Sequence, residues 1–253
     1  MTTPAPNPIT PARLAETTYA LYAGPEHITT TPFGRLAADP RCPTEWRFFD
    51  AHCGPDQVDA LLQTVDACYP PEQKVRAIVG HDPATCTYLH PHLTRLGYQF
   101  FEQQLLVHEH PPELTANPAV TIQAVDAATD QAYYNVGLKQ ASPLVHEHRR
   151  IQDIRLGGEG LIAWLDGEPV GYGGWFIHGG LVRYRRLGTL PHARKKHVCT
   201  TIVRYVQNHP TVRAQQALII GGSGGATGTT GIYQRCGFVQ RGSLWMFVLV
   251  PKP

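Results

Sequence analysis

The stretch that decides the fold is Leu181–His209, which reads LVRYRRLGTLPHARKKHVCTTIVRYVQNH. In its first part apolar and polar residues alternate, as in a strand. This alternation predicts one face made by every second residue: Leu181, Arg183, Arg185 and Leu187. In its last part apolar residues recur at helical spacing from Val198 to Val206. The pattern therefore predicts a strand that enters a helix through a short basic turn.

The turn has the composition of an anion site. Arg194, Lys195 and Lys196 stand directly before the predicted helix. The first turn of a helix leaves backbone N–H groups without intrahelical partners, and the helix dipole places partial positive charge there. A phosphate group is therefore a suitable ligand. A basic helix start that is only solvated, without a ligand, would have the same sequence pattern.

Three further motifs, two after this stretch and one before it, extend the unit. An apolar run over residues 216–220 and a glycine-rich connector over residues 221–231 precede Gly231–Val239, GIYQRCGFV. A tight-turn pair, Asp166-Gly167, opens the hairpin segment GEPVGY at residues 167–172. Together these motifs resemble the GNAT superfamily of acyl-CoA N-acyltransferases, whose last motif is Tyr-x-x-x-Gly-Phe. The family's pyrophosphate turn has the form Arg/Gln-x-x-Gly-x-Gly/Ala, and here Arg194 holds its first position while His197 and Cys199 stand at the two small-residue positions.

The resemblance implies a function and a set of site residues. It implies transfer of an acetyl group from acetyl-CoA to an amine of a small molecule or peptide. The pyrophosphate would be held by the turn, comprising Arg194, Lys195, Lys196, His197, Val198 and Cys199. The pantetheine would lie beside Leu187, Gly188 and Thr189, and Tyr233 would be the general acid. Nothing in these residues selects an acceptor or an oligomeric state.

The two halves of the chain show a constant offset. Gly97 and Gly237 each precede an aromatic residue 140 positions apart, and Val58 and Val198 open predicted helices at the same spacing. We therefore expect an α/β fold of two GNAT-like modules, each a mixed central sheet flanked by helices. The first, residues 1–112, would be a truncated, degenerate copy because Asp56 replaces the cationic cluster there, and the second, residues 118–253, would carry the activity.

Composition limits the class of partner. The chain has 22 basic and 20 acidic residues, a net charge of +2, which argues against nucleic acid as the main partner. It has no run of eighteen apolar residues and no signal-like N-terminus, so no membrane partner is expected. Six cysteines without a C-x-x-C pair favour free thiols and a cytoplasmic location: Cys42, Cys53, Cys68, Cys86, Cys199 and Cys236.

The remaining elements follow from periodicity and turn residues. Helices are predicted over residues 11–22, 55–68, 86–96, 127–139 and 145–154. Strands are predicted over residues 46–49, 74–79, 98–108, 120–125, 161–165, 169–176, 181–190, 216–220 and 244–250. Residues 109–117, with a Pro-Pro pair, are expected to be a linker.

The general base and the histidine pairs leave alternatives open. The strand before the turn has no carboxylate, so His146, Glu147, His148, His178 or a water relay could accept the amine proton. Histidines recur with H-x-H spacing at residues 90–92, 108–110 and 146–148, but no cysteine or carboxylate completes a ligand set, and no metal is predicted. The connector lacks the lysine of a phosphate-binding Walker loop. A catalytically worn copy of the fold, acting as an acyl-CoA-binding or interaction module, is the alternative function.

Overall fold

The computed structural model describes residues 8–41, 46–70, 73, 75–138, 155–223 and 229–250. The predicted helix over residues 145–154 lies outside them. The described α-helices are α1 (Pro11–Tyr19), α2 (Val58–Cys68), α3 (Pro83–Arg95), α4 (Asp130–Leu138), α5 (Val198–Asn208), α6 (Pro210–Arg213) and α7 (Thr229–Arg235). The described strands are β1 (Ile28–Thr31), β2 (Gly34–Ala37), β3 (Arg47–Phe49), β4 (Arg76–Gly80), β5 (Gln99–His108), β6 (Val120–Ala124), β7 (Glu159–Leu165), β8 (Glu168–His178), β9 (Leu181–Thr189), β10 (Ala217–Ser223) and β11 (Phe238–Leu249).

The chain forms two compact units. The N-terminal unit comprises residues 11–104 and 242–253, and the C-terminal unit comprises residues 1–10 and 105–241. Each contains a mixed sheet and helices, which confirms the predicted α/β class. Among the described residues, no helix is long and apolar enough to cross a membrane.

The N-terminal unit has the strand order β1-β2-β3-β4-β11-β5. β3 and β4 are parallel, and the end of β11 pairs antiparallel with β4, with Trp245 opposite Gly80. Its core contains Phe48, Leu61 and Ile78, each fully buried. Helix α3 begins at Pro83, three residues before the predicted start, because the Asp82 carboxylate caps it by accepting from the Ala84 and Thr85 N–H groups.

The C-terminal unit has the strand order β5-β10-β9-β8-β7-β6. β9 and β10 are parallel, whereas the hairpins β6–β7, β7–β8 and β8–β9 are antiparallel. Helix α5 presents Val198, Ile202, Val203 and Val206 to the core of this unit, and all four are 1% exposed or less. Burying each such side chain contributes roughly 1.5–3 kcal/mol, so packing on the sheet stabilises α5 more than its β-branched sequence would alone.

The observed units differ from the predicted division of the chain. The last strand begins at Phe238 instead of Leu244, and residues 242–250 belong to the N-terminal unit because β11 pairs with β4 there. The expected linker is bonded to the C-terminal unit: the N–H groups of Glu109 and His110 both donate to the Gly237 carbonyl at 3.0 Å. The β1–β2 hairpin was not predicted, because its threonine-rich strand lacks an apolar alternation.

Candidate functional site

Strand β9 carries a β-bulge in the middle of the decisive stretch. The register with β8 shifts between Tyr172 and Gly174, and Arg186 has a left-handed φ of 51°. A bulge inserts one extra residue and reverses the face on which later side chains lie. Leu187 accordingly packs with the α5 core, on the side opposite Arg185. The predicted alternation, which placed Leu187 with Arg183 and Arg185, is therefore wrong beyond Arg186.

The bulge coincides with the end of pairing between the parallel strands. Within the described residues the β9–β10 ladder ends at Arg183 opposite Ile219, although β9 continues to Thr189 and β10 to Ser223. The continuing residues of β9, Leu187 to Thr189, are half-buried. The Thr189 hydroxyl is buried and has no hydrogen-bond partner among the described residues. This part of β9 therefore offers unpaired polar groups on its β10 side.

Two glycines of β8 allow helix α5 to approach the sheet. A Cβ at Gly171 would lie 2.6 Å from Val198 Cγ1 of α5, and a Cβ at Gly173 would lie 3.2 Å from Ile202 Cγ2 of α5. The first distance is too short for a real side chain, and the second is tighter than an ordinary van der Waals contact. Gly171 belongs to the hairpin segment that the sequence analysis singled out, and its role is to bring the start of α5 against β8.

The turn before α5 has an unusual backbone. Lys195 has φ 64°, and His197, the N-cap of α5, has φ 58° and ψ 20°. Both are left-handed, a conformation that costs an L-residue roughly 1–2 kcal/mol and that glycine adopts freely. His197 thus keeps the backbone conformation that a glycine at this position would favour. It makes no side-chain cap, so the first N–H groups of α5 have no capping side chain.

Asn117 holds the turn in this conformation. Its side-chain amide donates to the Lys196 carbonyl at 3.0 Å, and its backbone N–H donates to Thr201 Oγ1 at 2.9 Å. The Thr201 hydroxyl in turn donates to the His197 carbonyl. Asn117 was not predicted as a site residue because it lies in the expected linker. The Asn117-Pro118 pair, a turn signal, was the only local sign of its role.

The predicted turn residues divide into two groups. The side chains of Arg194, Lys195, Lys196 and His197 are exposed. Val198 is buried, and Cys199 packs against the α5 core. Burial, reinforced by Cys236, raises the pKa of the Cys199 thiol to about 12, so this cysteine is not a nucleophile at neutral pH. Its side chain is directed into the core, away from the exposed surface of the turn.

Tyr233 lies on α7 in the same core cluster as Val198 and is 7% exposed. Burial raises the pKa of its phenol well above the usual value, and the neighbouring Cys199 and Cys236 thiols raise it further, while Arg183 acts in the opposite direction. The structure therefore brings Tyr233 close to the first turn of α5 and to β9. The phenol stays protonated throughout the physiological pH range.

Among the described residues, the predicted base His178 and the histidine pair on α3 do not lie at the turn. His178 is exposed and pairs with Leu181, at the opposite end of β9 from Thr189. The two ends of a strand of this length are roughly 25 Å apart. Residues 146–148 lie outside the described residues. His90 and His92 lie on helix α3, where i and i+2 side chains point in different directions. In the part of the chain that the structure describes, no group of three or more His, Cys, Asp or Glu side chains could hold a metal ion.

The fold built from these elements is shared with solved structures of GCN5-related N-acetyltransferases. No protein-family model matches this sequence, and no curated protein matches it. Solved structures do match it over most of its length. They share the fold at low sequence identity.

Three of these structures illustrate the similarity. A functionally unknown conserved protein from Staphylococcus epidermidis has a TM-score of 0.70 at 18% identity, covering 88% of this chain and 93% of its own. A GCN5-related N-acetyltransferase from Kribbella flavida has a TM-score of 0.66 at 16% identity, covering 94% of both chains. A tandem GNAT protein from the clavulanic acid biosynthesis pathway has a TM-score of 0.59 at 12% identity, covering 98% of this chain and 90% of its own.

Proposed function

We propose that this protein is an acyl-CoA-dependent N-acyltransferase that moves an acetyl group from acetyl-CoA to an amine of a small molecule or peptide. The observation that carries the proposal is the turn from Arg194 to Cys199, where His197 keeps a left-handed backbone without a glycine. An ordinary helix start would not need this strained conformation. The names of the structures that share the fold support the same activity.

The turn has the groups that a pyrophosphate requires. The first N–H groups of α5 are not capped by a side chain, and three exposed cations, Arg194, Lys195 and Lys196, surround them. Phosphate oxygens accept strong hydrogen bonds from such groups. Cys199 does not obstruct them because its side chain packs in the core. The turn therefore fits the diphosphate of CoA in spite of its two departures from the family pattern.

Strand β9 after the bulge is assigned to the pantetheine arm. Leu187, Gly188 and Thr189 lie on the part of β9 that has no β10 partner among the described residues. Their free backbone groups can bind amides of an extended ligand as a further strand would. The buried Thr189 hydroxyl is one additional hydrogen-bonding group on this path.

Tyr233 is assigned as the general acid. In the reaction the acceptor amine forms a C–N bond to the acetyl carbonyl, the C–S bond breaks, and the departing thiolate takes one proton. Tyr233 holds that proton at neutral pH because burial raises the pKa of its phenol. Strand β9 has no carboxylate, so we assign the proton released by the amine to solvent water.

The N-terminal unit is assigned a non-catalytic role. The position equivalent to Lys196 is Asp56, whose carboxylate would repel a phosphate, and the position equivalent to Tyr233 is Leu93. Both support the view that residues 1–112 are a degenerate module and that residues 118–253 carry the activity.

The test is calorimetric titration of the purified protein with acetyl-CoA and with CoA. Binding in the micromolar range that Arg194→Ala combined with Lys196→Ala abolishes is the expected result. Arg95→Ala, which removes an exposed arginine of α3, is the control and should leave binding unchanged. Absence of binding to either ligand would reject the proposal and favour the worn-fold alternative.

A further inference from the structure

A second concave site lies in the C-terminal unit, beside the last turns of α5. Its volume is about 530 Å³, within the usual range for small-molecule sites of roughly 300–1,000 Å³. The residues after β5 form one wall, α5 and α6 form the other, and the start of β10 forms the end. Arg204, the residue of α5 in this lining that is nearest to His197, is about 10 Å from it along the helix axis, and no turn residue from 194 to 199 lines the cavity.

The cavity has an excess of positive charge. Two guanidinium groups, Arg204 and Arg213, and two imidazoles, His108 and His110, line it. The only carboxylate in its lining among the described residues is Glu109, and both of its oxygens accept hydrogen bonds from Arg241. The acidic residue is therefore already neutralised by a partner outside the cavity.

Hydrogen bonds through Gln207 fix the orientation of the Arg204 side chain. Its Nη1 donates to Gln207 Oε1 at 2.8 Å, and Gln207 Nε2 donates to the Cys236 carbonyl at 2.7 Å. Gln207 is 7% exposed, so this support is itself buried. Arg204 lies before the last turn of α5, and the helix dipole therefore does not account for its position. A guanidinium with a fixed orientation is prepared to bind an oxyanion.

His108 forms part of the cavity wall beside Arg204. Its Nε2 atom is buried without a hydrogen-bond partner in the described residues, and its ring packs on Phe238 at 5.3 Å between centroids. Burial lowers the pKa of His108, and the neighbouring Arg204 and His110 lower it further, which shows that the surroundings are electropositive. A negative charge in the cavity would be stabilised by these surroundings.

We propose that this cavity binds a phosphorylated small molecule, with Arg204 and Arg213 contacting the phosphate. A phosphate is favoured over a carboxylate because it carries up to two negative charges and more acceptor oxygens, which match two guanidinium groups. The His108-Glu109-His110 segment thus has a role in an anion site and not in a metal site.

The experiment uses inorganic pyrophosphate as the probe. Because pyrophosphate would also occupy the turn, the titration is done on the full chain carrying Arg194→Ala and Lys196→Ala. Pyrophosphate is expected to bind this protein with a Kd below about 1 mM in physiological salt. Adding Arg204→Gln or, separately, Arg213→Gln is expected to weaken binding about tenfold, the usual effect of one charge-assisted hydrogen bond. Arg95→Gln is the matched control and should change nothing.

Citrate distinguishes a phosphate site from a general anion site. Citrate binding equal to or tighter than that of pyrophosphate would overturn the choice of phosphate. No binding of pyrophosphate, or binding that neither Arg204→Gln nor Arg213→Gln weakens, would overturn the site itself. Acetyl-CoA titration of Arg204→Gln in the otherwise natural chain reports on the turn alone, so failure of the proposed acyltransferase function is recognised separately.

Discussion

Helices α2 and α5 begin 140 positions apart in the chain and have the same length, eleven residues, yet their first turns differ. The residue before α5, His197, has a left-handed φ of 58°, whereas the residue before α2, Gln57, has a φ of −107°. Lys196 precedes His197, and the acidic Asp56 precedes Gln57. The two units thus share a helix length, while only the C-terminal unit has a left-handed N-cap next to a lysine.

The strands that lead into these helices differ as well. β9 has nine residues and a bulge at Arg186, whereas β3 has only three residues. Farther along, Gly97 and Gly237 have the same φ of 87°, although Leu93 stands where the C-terminal unit has Tyr233. The backbone that closes the unit is therefore preserved while the chemical groups are not.

The largest expected effect concerns Tyr233. Tyr233→Phe should lower kcat about a hundredfold and leave the Kd for CoA unchanged, because loss of a general acid removes only a contribution to the transition state. Steady-state kinetics together with calorimetry measure both quantities. Tyr184→Phe is the control: it removes the buried hydrogen bond to the Val203 carbonyl and should lower stability by about 1–2 kcal/mol with kcat unchanged. Unchanged turnover in Tyr233→Phe would remove the assigned role.

The next effect tests the charge of the turn. Lys196→Asp gives the C-terminal unit the carboxylate that the N-terminal unit has, and it should weaken acetyl-CoA binding about thirtyfold by repelling the diphosphate. The reciprocal Asp56→Lys should create no binding, because the N-terminal turn keeps its ordinary backbone. Calorimetric titration of both variants with acetyl-CoA measures these affinities. A second acetyl-CoA site that appears only in the Asp56→Lys variant would show that charge alone distinguishes the two units.

A smaller effect tests the left-handed backbone. His197→Gly should raise the free energy of unfolding by about 1 kcal/mol, because glycine adopts a positive φ without strain. Gln57→Gly should have the opposite sign and lower it by about 0.5–1 kcal/mol, because no strain is relieved there and the unfolded chain gains freedom. Urea denaturation measures both changes. Equal effects at the two positions would contradict the observed difference in backbone.

The smallest effect is a pH dependence of opposite sign in the two units. The Asp50 carboxylate, 3.2 Å from His81 Nδ1, raises the pKa of His81, so His81 stabilises the N-terminal unit below the unfolded pKa near 6.5 and loses this contribution as the pH rises through its folded pKa. Burial, with Arg204 and His110, lowers the pKa of His108, so this residue destabilises the C-terminal unit as the pH falls below about 6.5. Denaturation at pH 6 and pH 9 should show that His81→Asn costs more at pH 6 and that His108→Gln costs less at pH 6. A shared sign would contradict both assignments.

Much of the fold followed from local patterns. The period of apolar residues identified α2 and α5 and most of the strands, because one buried face imposes its own spacing. The tight-turn pair Asp166-Gly167 correctly placed the β7–β8 hairpin. The start of α3 was predicted three residues too late because the cap by Asp82 before Pro83 was not recognised. The assigned roles of Arg194 to Cys199 and of Tyr233 stay predictions until ligand binding is measured.

By itself the sequence determined the order of elements, the basic turn and the closing Tyr-x-x-x-Gly-Phe motif, since these depend on neighbouring residues. Only the tertiary structure decided that Leu187 changes face, that Asn117 holds the turn, and that the last strand pairs with β4. The bulge at Arg186 depends on register with β8, and Asn117 acts on residues about 80 positions away. The energy of such contacts depends on residues far apart in the chain, so the pattern and spacing of a short segment could not predict these contacts.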